Sequence, residues 1–152
     1  MTQNNNNLKW YAKGVKSCAY LLIMEEKMDN YSKSAMAVSA VLTNYFKGIF
    51  TGDTDLLRRV FHSEALVAGD INGQPYFKSV AQYLEGVENR KSPLELHEKF
   101  QMDIVSIEII NSIAVAKVHL PMFGFNYYDL LSLTKVDGEW IIINKLLTNV
   151  SI

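Results

Sequence analysis

Two carboxylates and one amide stand where they could do chemistry. Asp129 lies in the run FNYYDLLSL, Asp103 opens a stretch of alternating apolar residues, and Asn144 follows Ile141, Ile142 and Ile143. A carboxyl group enclosed by apolar side chains is held above its ordinary pKa, because burial disfavours the charge. It can then act as a general base for proton abstraction or elimination. An inward Tyr127 or Asn144 would supply the donor that a developing oxyanion needs. The commoner role of such residues is to satisfy a neighbouring polar group, since buried polar atoms need partners whatever the protein does.

The other reactive side chains form no recognisable constellation. His62, His97 and His119 lack the His-x-His or His-Glu-x-x-His spacing of a metal site, so no metal is expected. Cys18 is the single cysteine, which excludes an internal disulfide and a cysteine zinc site, and it has no local histidine to activate it. There is no phosphate loop, dinucleotide glycine motif or Gly-x-Ser-x-Gly elbow, and no cofactor is implied. The aromatics Tyr45, Phe46, Phe50, Tyr83, Tyr127 and Trp140 are core-forming in type. Those that line an internal cavity would face a flat apolar or aromatic ligand, with tyrosine hydroxyls available for a carbonyl.

The elements that must position these groups follow from periodicity and turns. Apolar residues at Val38, Val41, Leu42, Tyr45, Phe46, Ile49 and Phe50 make one helical stripe, with Ser32 or Ser34 as the expected cap and Gly52 as the stop. A short helix over 55–61 follows, then a hairpin of strands 65–70 and 74–77 turning at Asn72-Gly73. Ser79 caps a third helix over about 80–89, and Pro93 lies beyond its end. The remainder reads as four antiparallel strands, 98–110, 113–120, 125–136 and 139–147, with tight turns at Asn111-Ser112 and Asp137-Gly138.

Those turns fix a register and hence the faces. Counting from Asp137-Gly138 puts Tyr127, Asp129, Leu131, Leu133, Trp140, Ile142, Asn144 and Leu146 inward, with Lys145 and Ile143 outward. Counting from Asn111-Ser112 puts Asp103, Val105, Ile107 and Ile109 inward and His119 outward. The outer face keeps Ile104, Val115, Leu130, Ile141 and Ile143, which is apolar for a solvated surface and suits a homodimer interface.

Bulk composition bounds the rest. The 152 residues suit one main domain; 49% are hydrophobic and 20% charged, with net charge −1 and pI near 6.3. No basic surplus exists for nucleic acid. The apolar run from Cys18 to Met24 is too short for a membrane span, and Glu25-Glu26 follows it with no small-residue cleavage site, so neither membrane nor secretion is expected and the cytoplasm is. Residues 1–30 are read as an extension, helical over 15–27 and frayed at Asn4 to Asn7, with the domain at 31–152.

The segments YFKGIFTGDTDLLRRVFH (45–62), INGQPYFKSVAQYLEGV (71–87), AVAKVHLPMFGFNYYDLLSL (114–133) and DGEWIIINKLLT (137–148) resemble the nuclear transport factor 2-like superfamily. More narrowly they resemble its SnoaL-like branch labelled putative lumazine-binding, over about 34–150. The resemblance implies a cone-shaped α+β, cystatin-like fold: a bent antiparallel sheet around three helices, commonly dimeric through the sheet's outer face. Related proteins include ketosteroid isomerase, scytalone dehydratase, SnoaL-type cyclases and members without catalysis, so the fold does not choose among functions. Three functions are expected. The first is binding of a small apolar or aromatic ligand inside the cone, contacted by Tyr45, Phe46, Phe50, Tyr83, Asp103, Tyr127, Trp140 and Asn144. The second is an isomerase, dehydratase or cyclase with Asp129 as base. The third is an interaction module working through the outer face.

Overall fold

The computed structural model describes residues 6–151, with side chains from residue 18 onward. Of the Asn4–Asn7 tract, Asn4 and Asn5 lie outside the described residues, while Asn6 and Asn7 open helix α1 (Asn6–Thr51). Ser32 and Ser34, expected as caps, lie inside that helix. No glycine or proline interrupts residues 15–47, so nothing in the sequence forces a break, and serine in a helix interior costs only a few tenths of a kcal/mol. The chain divides into two compact units, the first ending at Ser34 and the second running Ala35–Ile152. In the first unit the helix is exposed from Cys18 to Lys33 and carries a Lys33–Asp29 ion pair at 2.6 Å. Among the described residues no helix is long and apolar enough to cross a membrane.

In the second unit, α1 buries Val38, Leu42, Tyr45, Phe46 and Ile49, the expected stripe. The helix stops where Gly52 takes φ 73°, and the Asp53 amide donates to the Gly48 carbonyl at 3.0 Å. The Asp53 carboxylate then caps α2 (Thr54–Val60) by accepting from the Leu56 amide. Strand β1 (Phe61–Ile71) starts without a connecting loop, four residues earlier than expected. Asn72 and Gly73, both at positive φ, return the chain into β2 (Gln74–Ser79). Ser79 and Gln82 form a reciprocal capping box on α3 (Val80–Glu88). Strands β3 (Asp103–Ile110), β4 (Ile113–Met122), β5 (Phe125–Val136) and β6 (Glu139–Val150) follow as an antiparallel meander.

The six strands form one bent sheet in the order β2-β1-β6-β5-β4-β3. The α+β class stands, and every ladder is antiparallel except one: β1 runs parallel to β6. The inner faces of β4, β5 and β6 meet α1, α2 and α3 in a single apolar core that includes Leu57, Val60, Tyr83, Leu84, Ala116, Val118, Leu131 and Ile142.

Two β-bulges change which side chains look inward. The expected pairs Lys135–Trp140 and Leu133–Ile142 are present, but the register then slips, so that Ser132 faces Asn144 and Leu131 faces Lys145. Ile143 is the extra residue, and beyond it inward and outward positions exchange. A second slip between Ile104 and Ser106 leaves Val105 extra on β3. Upstream of it, Ile104 turns toward the core, while Asp103 is exposed.

Candidate functional site

The first bulge builds the site. With Ile143 looped out, Lys145 and not Asn144 points into the core opposite β5. Two residues further along, Leu147 pairs with Asp129, so Lys145 reaches the carboxylate diagonally across the two strands. Asp129 is 1% exposed and Lys145 2%, and their side chains meet at 3.0 Å between Lys145 Nζ and Asp129 Oδ2. From α1, the fully buried Tyr45 hydroxyl donates to the same Asp129 Oδ2 at 2.6 Å and accepts from Lys145 Nζ at 2.6 Å. From α3, the Tyr83 hydroxyl accepts from Lys145 Nζ at 3.2 Å. Phe61 closes this cluster edge-on against both rings, 5.8 Å from Tyr45 and 6.3 Å from Tyr83, and Phe46 leans on Tyr45 at 5.9 Å.

An ion pair inside an apolar core is costly unless it is close and further hydrogen-bonded. Here all three ammonium hydrogens have acceptors: Asp129 Oδ2, Tyr45 Oη and Tyr83 Oη. Burial pulls Lys145 toward the neutral amine, but the Asp129 charge, then Tyr83 and the hydrogen bonds to both, outweigh it, so its pKa is raised above the ordinary lysine value. Burial, and then the Asp129 charge, push the Tyr45 phenol well above its ordinary value. Tyr127, two residues from Asp129 on the same face, is raised chiefly by burial, against the positive charges of Arg90 and Lys145.

Asp129 therefore occupies the expected inner position but not the expected surroundings: it is partnered by an ammonium and a phenol. One of its oxygens is left over. Asp129 Oδ1 is fully buried and has no hydrogen-bond partner among the described residues.

Tyr45, Phe46 and Tyr83 gather around Asp129, and Tyr127 lies beside it on β5. Phe50 is only partly buried and stacks edge-on with Phe100 at 5.2 Å. Trp140 is buried at the far end of the same strands, opposite Lys135, six residues and roughly 20 Å along β5 from Asp129. Two expected ligand residues are corrected by the bulges. Asn144 leaves the inner face and donates to the Leu66 carbonyl at 3.4 Å. Asp103 faces outward and meets His119 Nδ1 at 3.3 Å. His119 itself is on the outer face as expected, stacked on Tyr128 with ring centres 4.6 Å apart and hydrogen-bonded to Asn126. That face also holds a groove of about 560 Å³ against Lys117, Tyr128, Leu130 and Leu146, on the opposite side of β5 and β6 from the buried pair. Among the described residues no three His, Cys, Asp or Glu side chains converge as metal ligands would.

Lys145 is the residue that sequence reasoning missed. A signal was present: an inward carboxylate requires a countercharge, and Lys145 is the basic residue of β6, one position from the expected partner.

The raised groups set the alkaline limit of the fold. A group whose folded pKa exceeds its unfolded one contributes stability that is complete below the unfolded value and is lost as pH rises through the folded value. For Tyr45 and Lys145 the ordinary values are 10.0 and 10.5. Urea-unfolding free energies measured across pH are thus expected to show these two groups adding no slope below about 10, and stability falling steadily above it. Tyr45→Phe should remove the earlier part of that fall. An unchanged alkaline profile in that variant would contradict the buried phenol's role.

A bent sheet closed over helices around a buried polar cluster defines a protein of the NTF2-like class. Within that class, residues 33–148 match the model of the family described as putative lumazine-binding, and the chain belongs to that family. It is similar in fold to an NTF2-like protein of unknown function from Shewanella baltica, at TM-score 0.70 and 23% identity over 80% of this chain and 98% of that one. A second, from Silicibacter pomeroyi, aligns at TM-score 0.68 and 21% identity over 79% and 98% of the two chains. In sequence the chain is similar to the aldolase FrzH of Cladobotryum sp, with 23% identity over 110 residues, 72% of this chain and 86% of that protein.

Proposed function

We propose that the protein binds a small, largely apolar or aromatic molecule in the interior of its sheet, beside Asp129, Lys145, Tyr45 and Tyr83. The observation that carries this reading is Asp129 Oδ1, a fully buried carboxylate oxygen left without a donor. An unsatisfied buried charge-bearing atom costs on the order of 1–3 kcal/mol or more, which a ligand donor would recover. The buried rings of Phe46, Phe61 and Tyr83 are the apolar neighbours that such a molecule would meet, and its own apolar surface would supply the remaining affinity by burial. Native mass spectrometry of the purified protein tests this. The expected result is a mass excess from a retained small molecule, lost in the double variant Asp129→Asn/Lys145→Met. Apo mass alone, with no small-molecule-induced change in melting temperature across an aromatic fragment set, would overturn it.

One observation favours a second reading, an enzyme acting on an enolisable carbonyl compound: a sequence relative is an aldolase. In this reading Asp129 Oδ1 takes the α-proton as the C–H bond breaks, and the Tyr83 hydroxyl holds the enolate oxygen. Attack of the enolate carbon on a second carbonyl forms the new C–C bond, and the proton on Asp129 passes to the resulting alkoxide. The test is deuterium exchange from solvent into β-tetralone, followed by NMR. Exchange accelerated by the wild type and absent with Asp129→Asn is expected. Equal exchange in both would remove Asp129 from the chemistry.

A further inference from the structure

A cavity of about 250 Å³ lies where α2 ends, β1 begins and α3 starts. Its lining includes Arg58 from α2, Phe61, His62 and Ser63 from β1, and Val80 and Leu84 from α3. Phe61, Val80 and Leu84 are buried and give it an apolar floor. None of its lining residues is acidic, and none belongs to the Asp129, Lys145, Tyr45 and Tyr83 cluster.

The polar groups at this cavity are donors in need of acceptors. The Arg58 guanidinium stays 3.9 Å from the Asp55 carboxylate, too far for a hydrogen bond, and that carboxylate is 88% exposed. His62 Nδ1 accepts from the Glu64 amide at 3.2 Å. An accepting ring nitrogen carries no hydrogen, so in the neutral imidazole the hydrogen sits on Nε2. That N–H has no acceptor among the described residues. A permanent cation and a fixed N–H donor thus stand over an apolar floor, with no carboxylate in the lining to neutralise them.

We propose that this cavity binds a small organic carboxylate. Its carboxylate lies against Arg58 and the His62 Nε2–H, and its apolar body against Phe61, Val80 and Leu84. A guanidinium fits a carboxylate with two parallel N–H···O bonds, which makes arginine the basic residue best matched to that group. The volume falls just below the roughly 300–1,000 Å³ of cavities that take drug-sized molecules, so the body is limited to a single ring or a short chain. An inorganic anion leaves the floor unfilled, and a neutral analogue leaves the guanidinium without a countercharge.

The test is a protein-observed NMR titration of the full chain with benzoate, benzamide and acetate. Benzamide keeps the ring and loses the charge; acetate keeps the charge and loses the ring. Benzoate is expected to shift the backbone signals of His62, Ser63 and Val80. It should bind about tenfold or more tightly than either analogue, the worth of one hydrogen bond between charged groups. Arg58→Gln, at a half-exposed position outside the core, should weaken benzoate by a similar factor and leave benzamide unchanged. The double variant Asp129→Asn/Lys145→Met should leave benzoate binding as it is, which separates this cavity from the interior site. Equal affinity for benzoate and either analogue, or benzoate binding that Arg58→Gln does not weaken, would overturn the proposal. Shifts confined to the residues around Asp129 would overturn it as well.

Discussion

Replacing Asp129 alone by Asn is expected to destabilise the protein by about 3–5 kcal/mol at neutral pH, because it leaves the Lys145 ammonium buried without a countercharge. Lys145→Met should cost a similar amount by stranding the carboxylate. The double variant Asp129→Asn/Lys145→Met should recover most of the loss, since a buried ion pair replaced as a unit by neutral groups of similar size is often close to neutral in stability. Urea unfolding of the four proteins gives the coupling energy directly. The pH dependence separates this cause from simple loss of packing. In the wild type, Lys145 has its pKa raised, and its contribution is lost only as pH climbs through the alkaline range. In Asp129→Asn the carboxylate is gone and burial prevails, so the folded amine binds its proton less tightly than the unfolded one. Stability of this variant should then rise with pH toward the ordinary lysine value, the opposite slope. Additive single-variant costs and parallel pH profiles would contradict the buried pair.

The second large effect is expected at Gly69. This residue lies on β1 opposite Leu147, in the one parallel ladder of the sheet, and Leu147 in turn pairs with Asp129 on β5. Its φ is 135°, and a Cβ there would stand 1.8 Å from the Leu147 carbonyl oxygen. That neighbour is backbone within a ladder and cannot rotate away. Gly69→Ala must either push β1 off β6 or break the rung beside the buried cluster, on top of the strain of its dihedral. A loss of roughly 3 kcal/mol or more follows, with weakened ligand retention. Gly124→Ala is the matched control: also at positive φ, but with open space around it. If the two variants lost equal stability, the close approach of β1 to β6 would not be what requires glycine at position 69.

Much of the fold is legible because its signals are local. Asn72-Gly73 and Asp137-Gly138 adopt the positive φ their hairpins need, as does Asn111 in the third turn, and each turn sets the neighbouring pairs. The α1 stripe, the Gly52 stop and the Ser79 cap are local too. The parallel pairing of β1 with β6 joins segments some 80 residues apart, and no neighbouring residue specifies it. The helix expected over 15–27 and the stripe from Val38 belong to one continuous α1; the break between them was expected because Ser32 and Ser34 have cap chemistry, which a helix uses only where it begins.

The site was half legible for a single reason. Asp129 keeps its expected face because the extra residue of the β5–β6 bulge lies on β6, so the alternation along β5 runs unbroken from the Asp137-Gly138 turn, and Tyr45 and Tyr83 follow from helical stripes. Asn144 and Asp103 were misplaced because each lies beyond a bulge, and one extra residue reverses every later side chain. The sequence carries a mark of the slip in β6: Leu146 and Leu147 are adjacent and both apolar, so strict alternation suits neither register throughout, and only the pairing with Asp129 favours Lys145.

The proposed binding requires a donor from the bound molecule on the unpartnered Asp129 Oδ1. A high-resolution electron-density map of the protein as purified, inspected at that oxygen, tests it most directly. Continuous density for an organic molecule is expected, with a donor atom within hydrogen-bonding distance of Oδ1 and its apolar body against Phe46 and Phe61. A single water on Oδ1, or side chains packed shut around it, would contradict the claim.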